Sequence, residues 1–411
     1  MKTFIIENKN KINYNKVYFY SILLFAFCLP LSRAGISFFS IFLPLIWFIE
    51  GDIKAKFKQI YKDKVLFSLV LLVGYYILSI LWSENYTEAL GSMKMYFYLC
   101  TLFVIATSLK KENIFKVISA FLLGMFVSEV IAYGVFFEFW EFKHATPKNP
   151  SPFMVHIAYS VFMAFTSLLI LNKIISNKYK MSARFIYIIF FLTITGNLFL
   201  ANGRTGQVAF IVGIVAIFIV HYRVSIKSIF FSLILISTLL FSFYTISNTF
   251  KVRVNEAVVD IKDMKDMKFD GSWGVRVAYW ITTFNVLKEK PFGSGIGDYK
   301  VETKKELSKE KYNFLNQETK KFMSKHHPHN QYLLLLLQNG VFGIMLFLYF
   351  LFNFFTQKIN NSELKELSII FGVIYCVGFM AEPLLIKQFT VALFALFVGI
   401  FAVYRKSDYD I

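Results

Sequence analysis

A short polar segment holds the residues of this sequence that are best suited to chemistry. Residues 325–330 read KHHPHN and contain His326, His327 and His329, half of the histidines in the chain. A metal site built from these imidazoles lacks a fourth ligand nearby in sequence. A general base is the second interpretation, because a neutral imidazole titrates near pH 6.5 and a helix beginning after Pro328 disfavours imidazolium. A polar collar on a membrane helix is the third, and these residues alone leave all three open.

Two arginines and an acidic residue are further candidates. Arg204 follows the turn pair Asn202-Gly203, and Arg276 lies among apolar and aromatic residues within a lysine-rich segment. The arginine fork suits phosphate oxygens, although Arg204 could instead extend to lipid headgroups and Arg276 could be an ordinary surface residue. Glu382 is the acidic candidate. It stands at the end of an apolar block rather than in its middle, as do most of the charged residues near these blocks. This distribution indicates a site at a membrane face and disfavours a channel or carrier.

The elements that must position these residues are membrane helices. Of the 411 residues, 56% are hydrophobic and 17% are charged, whereas soluble domains carry about 25% charged residues. The apolar residues form about twelve blocks of the length that a spanning helix requires. The predicted spans are 17–32, 34–49, 65–82, 94–109, 113–136, 154–171, 184–200, 205–222, 226–247, 330–353, 367–381 and 388–404. The predicted fold class is therefore an all-α integral membrane protein, and the three cysteines, all inside these blocks, predict neither disulfides nor a metal site.

The orientation follows from the distribution of Lys and Arg. With a cytoplasmic N-terminus, the inner connections carry 22 of these residues and the short outer connections carry 6. The sequence therefore predicts that residues 1–247 hold the first nine spans, 248–329 form one large extracytoplasmic loop, and 330–411 hold three spans and a short cytoplasmic tail. Since much of the net charge of +18 lies in these membrane connections and this loop, it does not point to nucleic acid.

The long loop contains a pattern typical of an amphipathic helix. Leu307, Phe314, Leu315 and Phe322 recur at near-helical spacing between lysines and glutamates. A helix at the membrane surface and a fully solvated helix fit this pattern about equally. In GSGIG, residues 293–297, the spacing of a nucleotide-binding fingerprint is missing, so a tight loop is expected.

The spacing around His329 resembles a family signature. His329-Asn330, nine residues, Gly340, two residues and Gly343 follow the pattern H-[NSQ]-x9-G-x-x-[GTY] of the bacterial O-antigen ligase family. Arg204 and Arg276 resemble the two arginines of that family in order and approximate spacing. One departure is Val208, where the family has leucine in R-x3-L. Gly340 and Gly343, on one helix face, are expected to let another helix pack closely.

This resemblance implies a membrane-embedded, GT-C-like glycosyltransferase of lipopolysaccharide biosynthesis in the bacterial inner membrane. The enzyme would be inverting, would need neither metal nor cofactor, and would move polysaccharide from undecaprenyl pyrophosphate to a sugar hydroxyl of lipid A core. By the same resemblance, His329 would be the general base, and Arg204 and Arg276 would bind the donor pyrophosphate. Asn330 and Glu382 would support the site. The active site would face the periplasm, and both termini the cytoplasm.

Two alternatives come from other classes of function. O-antigen polymerases and other lipid-linked oligosaccharide transferases share the fold class, and a polysaccharide or lipid transporter would also be a multi-pass protein. Ligases that glycosylate proteins commonly carry an extra soluble domain at the C-terminus, whereas this sequence ends soon after the last predicted span. A transporter is expected to have polar groups near the membrane midplane and broken helices.

Overall fold

The computed structural model describes residues 13–405 except Asn177, Ser247 and Met267, and this part of the chain is helical without a β-strand. The predicted positions of both termini fall outside the described residues. The α-helices are α1 (Tyr14–Cys28), α2 (Arg33–Glu50), α3 (Ile53–Lys62), α4 (Lys64–Leu78), α5 (Tyr86–Phe97), α6 (Cys100–Ser108), α7 (Ile114–Phe136), α8 (His156–Ile175), α9 (Met181–Leu200), α10 (Arg204–Tyr222), α11 (Ile226–Ile246), α12 (Asn248–Lys265), α13 (Ser272–Glu289), α14 (Tyr299–Leu307), α15 (Gln317–Lys325), α16 (Gln331–Thr356), α17 (Ser362–Ala381) and α18 (Gln388–Arg405).

The described helices confirm a multi-pass all-α membrane protein, with a smaller count of spans than the sequence predicts. Ten helical segments in the described part of the chain are long and apolar enough to cross a membrane. The predicted span 226–247 corresponds to α11, which bends by 105° into α12, and this pair could count as one further broken span. The predicted span 17–32 corresponds to α1, whose 15 residues are shorter than the roughly 20 that a bilayer requires.

Two helices form the centre of the bundle. α8 and α18 are buried along almost their whole length, because they are apolar on all sides and are surrounded by other helices. α8 packs against α9, α10 and α17. α10 comes especially close to α8 at Gly206, where a Cβ atom would lie 2.1 Å from the carbonyl oxygen of Ser160. A small residue at this point lets the two helix backbones approach closely.

The segment after α12 folds into a small helical layer at one end of the bundle, which we call the loop end. The prediction of one amphipathic helix here is wrong, because the chain turns between α14 and α15. Asn316 caps α15 by accepting a hydrogen bond from the Thr319 amide. Leu307, Leu315 and Tyr279 pack together in a small core of this layer. The apolar residues of the pattern therefore serve packing against α13 as well as any contact with lipid.

Helix α16 is broken at Gly340, which has φ 61° and ψ −155°. The chain at Pro291–Gly295 fills the break: the Val341 amide donates to the Pro291 carbonyl at 2.9 Å, and the Gly295 amide to the Gln338 carbonyl at 2.9 Å. A Cβ atom at Gly340 would lie 2.2 Å from the Pro291 carbonyl oxygen. The expectation that Gly340 admits a neighbouring helix is therefore wrong, because the close neighbour is the tight GSGIG loop region. That loop satisfies the backbone groups that the break exposes.

Candidate active site

Asn330 anchors the histidine segment to the bundle. It is the N-cap of α16, where its side-chain oxygen accepts from the Leu333 amide at 3.0 Å. Its amide nitrogen donates to the Met380 carbonyl at the end of α17, also at 3.0 Å. Since His329 precedes Asn330 and Glu382 follows the last turn of α17, this capping residue brings the two side chains to the same place.

His329 and Glu382 form the central contact of the site. The Nδ1 atom of His329 lies 2.9 Å from a carboxylate oxygen of Glu382, and its ring stacks on Phe322 with centroids 6.0 Å apart. Because an ionised carboxylate only accepts hydrogen bonds, Nδ1 carries the proton in this contact. The Nε2 atom is then the acceptor nitrogen, and it has no partner among the described residues. This is the tautomer that a histidine base requires.

Glu382 is surrounded by positive and neutral nitrogen groups. Its side chain is 1% exposed and contacts His327 Nε2 at 3.4 Å and the Lys387 ammonium in addition to His329. Burial by itself raises the pKa of Glu382. The hydrogen bond with His329 and the neighbouring Lys387 and His327 together lower it by more, so that the pKa is about 2. Glu382 is therefore a carboxylate at neutral pH.

His327 supports the backbone of His329. The backbone of His329 is in the left-handed region with φ 46°, which is strained for a residue with a Cβ atom. The His329 amide donates to His327 Nδ1 at 3.3 Å. Burial, together with nearby His329 and Lys387, lowers the pKa of His327 to about 4 against the opposing effect of Glu382, so this ring is neutral and can accept. The sequence signature singles out His329 and does not indicate these contacts of His327.

Arg276 shares a cavity of about 610 Å³ with His329 and Glu382. The cavity lies at the loop end, between the start of α8 and helices α13 and α15. The Arg276 guanidinium stacks on Trp273 at 5.3 Å and has no hydrogen bond or ion pair with the described residues. Burial is the main cause that lowers its pKa. Its hydrogen-bond donors are therefore available for an anion in the cavity.

Arg204 stands next to this cavity rather than in its wall. It begins α10, forms an ion pair with Glu256 on α12, and keeps one buried guanidinium nitrogen without a hydrogen-bond partner among the described residues. Its charge is close enough to lower the pKa of Arg276. The structure thus gathers Arg276, His329 and Glu382 around one cavity, with Arg204 and Asn330 beside it.

Three side chains of the site could also act as ligands of a metal ion, as one interpretation of the sequence proposes. One ligand atom each from His327, His329 and Glu382 lies within 4.8 Å of the others, so this group could hold a metal ion. The Lys387 ammonium contacts the same Glu382 oxygen that faces His327, and it would compete with a cation there. The residues therefore fit a hydrogen-bonded network better than a metal centre.

Glu129 lies outside this site. It is 2% exposed within α7 and accepts a hydrogen bond from the Thr193 hydroxyl of α9 at 3.0 Å. It lines a separate, mostly apolar cavity of about 800 Å³ between these two helices.

Comparison with known proteins identifies a related family. A family model described as O-antigen ligase matches residues 188–348, a region that contains Arg204, Arg276 and His329 but ends before Glu382. The same region includes α13 to α15 and the break in α16. No curated protein gives a significant match to the chain.

Proposed function

We propose that this chain, which the O-antigen ligase family model matches over residues 188–348, transfers a completed polysaccharide from undecaprenyl pyrophosphate to a sugar hydroxyl of lipid A core. The site would face the periplasm from the inner membrane of a bacterium, and the reaction would invert the anomeric carbon. The single observation that best supports this proposal is the 2.9 Å contact of His329 with a buried carboxylate, in a cavity also lined by Arg276, which forms no ion pair with the described residues.

In the proposed reaction, His329 is the general base. The acceptor hydroxyl gives its proton to Nε2, and its oxygen forms a bond to the anomeric carbon of the donor sugar. The bond from that carbon to the pyrophosphate oxygen breaks, and undecaprenyl pyrophosphate leaves with the electron pair. Glu382 holds the Nδ1 proton and stabilises the imidazolium that forms, as the carboxylate does beside other histidine bases.

The two arginines are proposed to bind the leaving group. Arg276 has unused donors in the cavity, and Arg204 keeps one buried nitrogen without a partner among the described residues. Guanidinium groups aimed at a pyrophosphate stabilise the negative charge that grows as the glycosidic bond breaks. Since these cations and an already activated leaving group can supply that stabilisation, the proposal includes no metal and no cofactor.

The proposal is tested in a bacterial strain that lacks its own ligase, by following polysaccharide ladders on lipid A core. We expect His329→Ala and Arg276→Ala to abolish the ladders, because base and anion binding each contribute on the order of 10²-fold or more to such a reaction. His326→Ala is the matched control, because the exposed His326 imidazole belongs to the same segment but lies outside the cavity. This variant should ligate normally.

Membrane levels of each variant must equal those of the parent protein for these results to count. Full ligation by His329→Ala at equal levels would contradict the proposed base. Absence of ligation in this strain, together with restored chain length in a strain that lacks its polymerase, would identify a polymerase instead. Loss of activity of the purified parent protein on addition of a chelator, restored by a divalent metal, would return the histidines to a metal site.

A further inference from the structure

A second pocket at the loop end carries an excess of positive charge. Its volume is about 530 Å³, and it lies between the start of α2 and the segment that joins α7 to α8. Arg33, Lys143 and His144 line it, and none of the described lining residues is acidic. This pocket, which we call the basic pocket, shares no lining residue with the cavity of His329.

Aromatic rings rather than carboxylates hold the two permanent cations. The Arg33 guanidinium lies over Phe389 at 5.7 Å, and the Lys143 ammonium lies 5.0 Å from each of the Phe142 and Phe153 rings. Neither cation has an ion pair or a side-chain hydrogen bond with the described residues. Stacking on a ring orients a cation without neutralising it or using its polar hydrogens. Both cations therefore keep their capacity to bind an anion.

Two short connections join the basic pocket to the candidate active site. His156 lines the basic pocket, and the next residue, Ile157, lines the cavity of His329. On the other side, the Gln388 amide nitrogen donates to the Arg33 carbonyl at 3.0 Å. Gln388 directly follows Lys387, whose ammonium contacts Glu382. A molecule reaching His329 could therefore place another of its groups in the basic pocket.

We propose that the basic pocket binds a phosphate group of the acceptor glycolipid while the acceptor hydroxyl lies at His329. This inference rests on the proposed function for the nature of the acceptor. The donor pyrophosphate is assigned to Arg276 and Arg204, so a second, separate anion site belongs with the second substrate. Charge-assisted hydrogen bonds from arginine and lysine are the contacts that recognise phosphate most strongly.

Binding of the acceptor without donor tests this directly. Full-length protein in nanodiscs of phosphatidylcholine is titrated with lipid A core glycolipid, and with the same glycolipid after chemical removal of its phosphates. We expect the parent protein to bind the phosphorylated form roughly 10-fold or more tightly, the size expected when charge-assisted hydrogen bonds are lost. The Arg33→Gln/Lys143→Gln variant should bind both forms equally weakly.

Two further variants separate a local effect from a general one. Arg33→Lys/Lys143→Arg keeps both charges and should retain the preference for phosphate. Lys304→Gln/Lys305→Gln removes the same number of charges from exposed positions on α14 and should behave as the parent protein. Thermal unfolding of each variant checks that the fold is intact.

Equal binding of both glycolipids by the parent protein would overturn the inference. Loss of the preference in nanodiscs that contain phosphatidylglycerol would assign the pocket to a phospholipid headgroup and would also overturn it. A preserved phosphate preference in a protein that fails to ligate would leave the basic pocket in place and reject the proposed function instead.

Discussion

At the scale of single residues, the site depends on the constant charge of Glu382 and His327. The pKa of Glu382 lies near 2 and that of His327 near 4, so neither changes protonation between pH 5 and pH 8. The Glu382 carboxylate also stabilises the fold, since its pKa is below the value of about 4.3 in an unfolded chain. That contribution is complete at pH above about 5, and it is lost only as the pH falls toward 2.

The first residue-scale prediction concerns Glu382. We expect Glu382→Gln to lower kcat by about 10²- to 10⁴-fold with little change in donor binding, because a glutamine neither fixes the Nδ1 proton of His329 nor stabilises an imidazolium. Steady-state kinetics of the purified protein give kcat and the affinity for the donor.

Glu310→Gln is the matched control for this substitution. It makes the same change at an exposed position of the loop end, and its kcat should equal that of the parent protein. An unchanged kcat in Glu382→Gln would contradict the assigned role of Glu382.

At the scale of secondary-structure elements, the break in α16 decides how the site is supported. An unbroken helix would leave no free amide at Val341 for the Pro291 carbonyl, and the carbonyls of Leu337 and Gln338 would be used within the helix. In the structure, these carbonyls accept from Ser294 and Gly295. The break therefore ties the loop-end layer, which carries Arg276, to the same helix that begins next to His329. This connection explains why a membrane helix needs glycine in its middle.

Gly340→Ala tests the role of this break. Only glycine readily adopts φ 61° with ψ −155°, and another residue there costs about 1–3 kcal/mol in backbone strain, before the clash with the Pro291 carbonyl is counted. We expect a lower Tm of the detergent-purified protein and a loss of ligation. The control is Gly74→Ala in α4, where a Cβ atom meets no other atom within 4 Å. A Tm in Gly340→Ala equal to that of the Gly74→Ala control would show that the break is not required for stability.

At the scale of the whole molecule, the candidate site and the basic pocket share one end of the helix bundle. The starts of α2, α8, α10, α16 and α18 meet there, together with the end of α17. The distribution of Lys and Arg predicts that this end faces outward, because the opposite connections carry the excess of positive charge. The proposed donor, carried on a membrane lipid, would then reach the site from the outer leaflet.

Labelling with a membrane-impermeant maleimide checks this orientation. Lys304→Cys, at an exposed position on α14, should react in intact spheroplasts. Lys365→Cys, at an exposed position in the first turn of α17, should react only after the membrane is permeabilised. Both variants are built in a background in which Cys28, Cys100 and Cys376 are replaced by alanine. The reverse pattern would contradict the predicted orientation and would move the site to the cytoplasmic face.

The sequence alone predicts the class of the protein, most of its spans and a resemblance to the O-antigen ligase family, whose model matches residues 188–348. These depend on patterns within short stretches of chain, such as apolar blocks long enough for a bilayer and the spacing from His329 to Gly343. The sequence also predicts the site residues Arg204, Arg276, His329, Asn330 and Glu382, and their catalytic roles stay predictions.

Contacts between these residues depend on the tertiary fold. The contact of His329 with Glu382, the second imidazole of His327 and the ammonium of Lys387 join groups up to 60 residues apart, and no local pattern encodes such distances. The bend between α11 and α12 and the loop that fills the break at Gly340 likewise depend on packing between distant segments. A bilayer requires only that each spanning helix be long and apolar enough, and this can be recognised in one stretch of sequence. A site forms only where the ends of several helices pack together, so it depends on their arrangement in space.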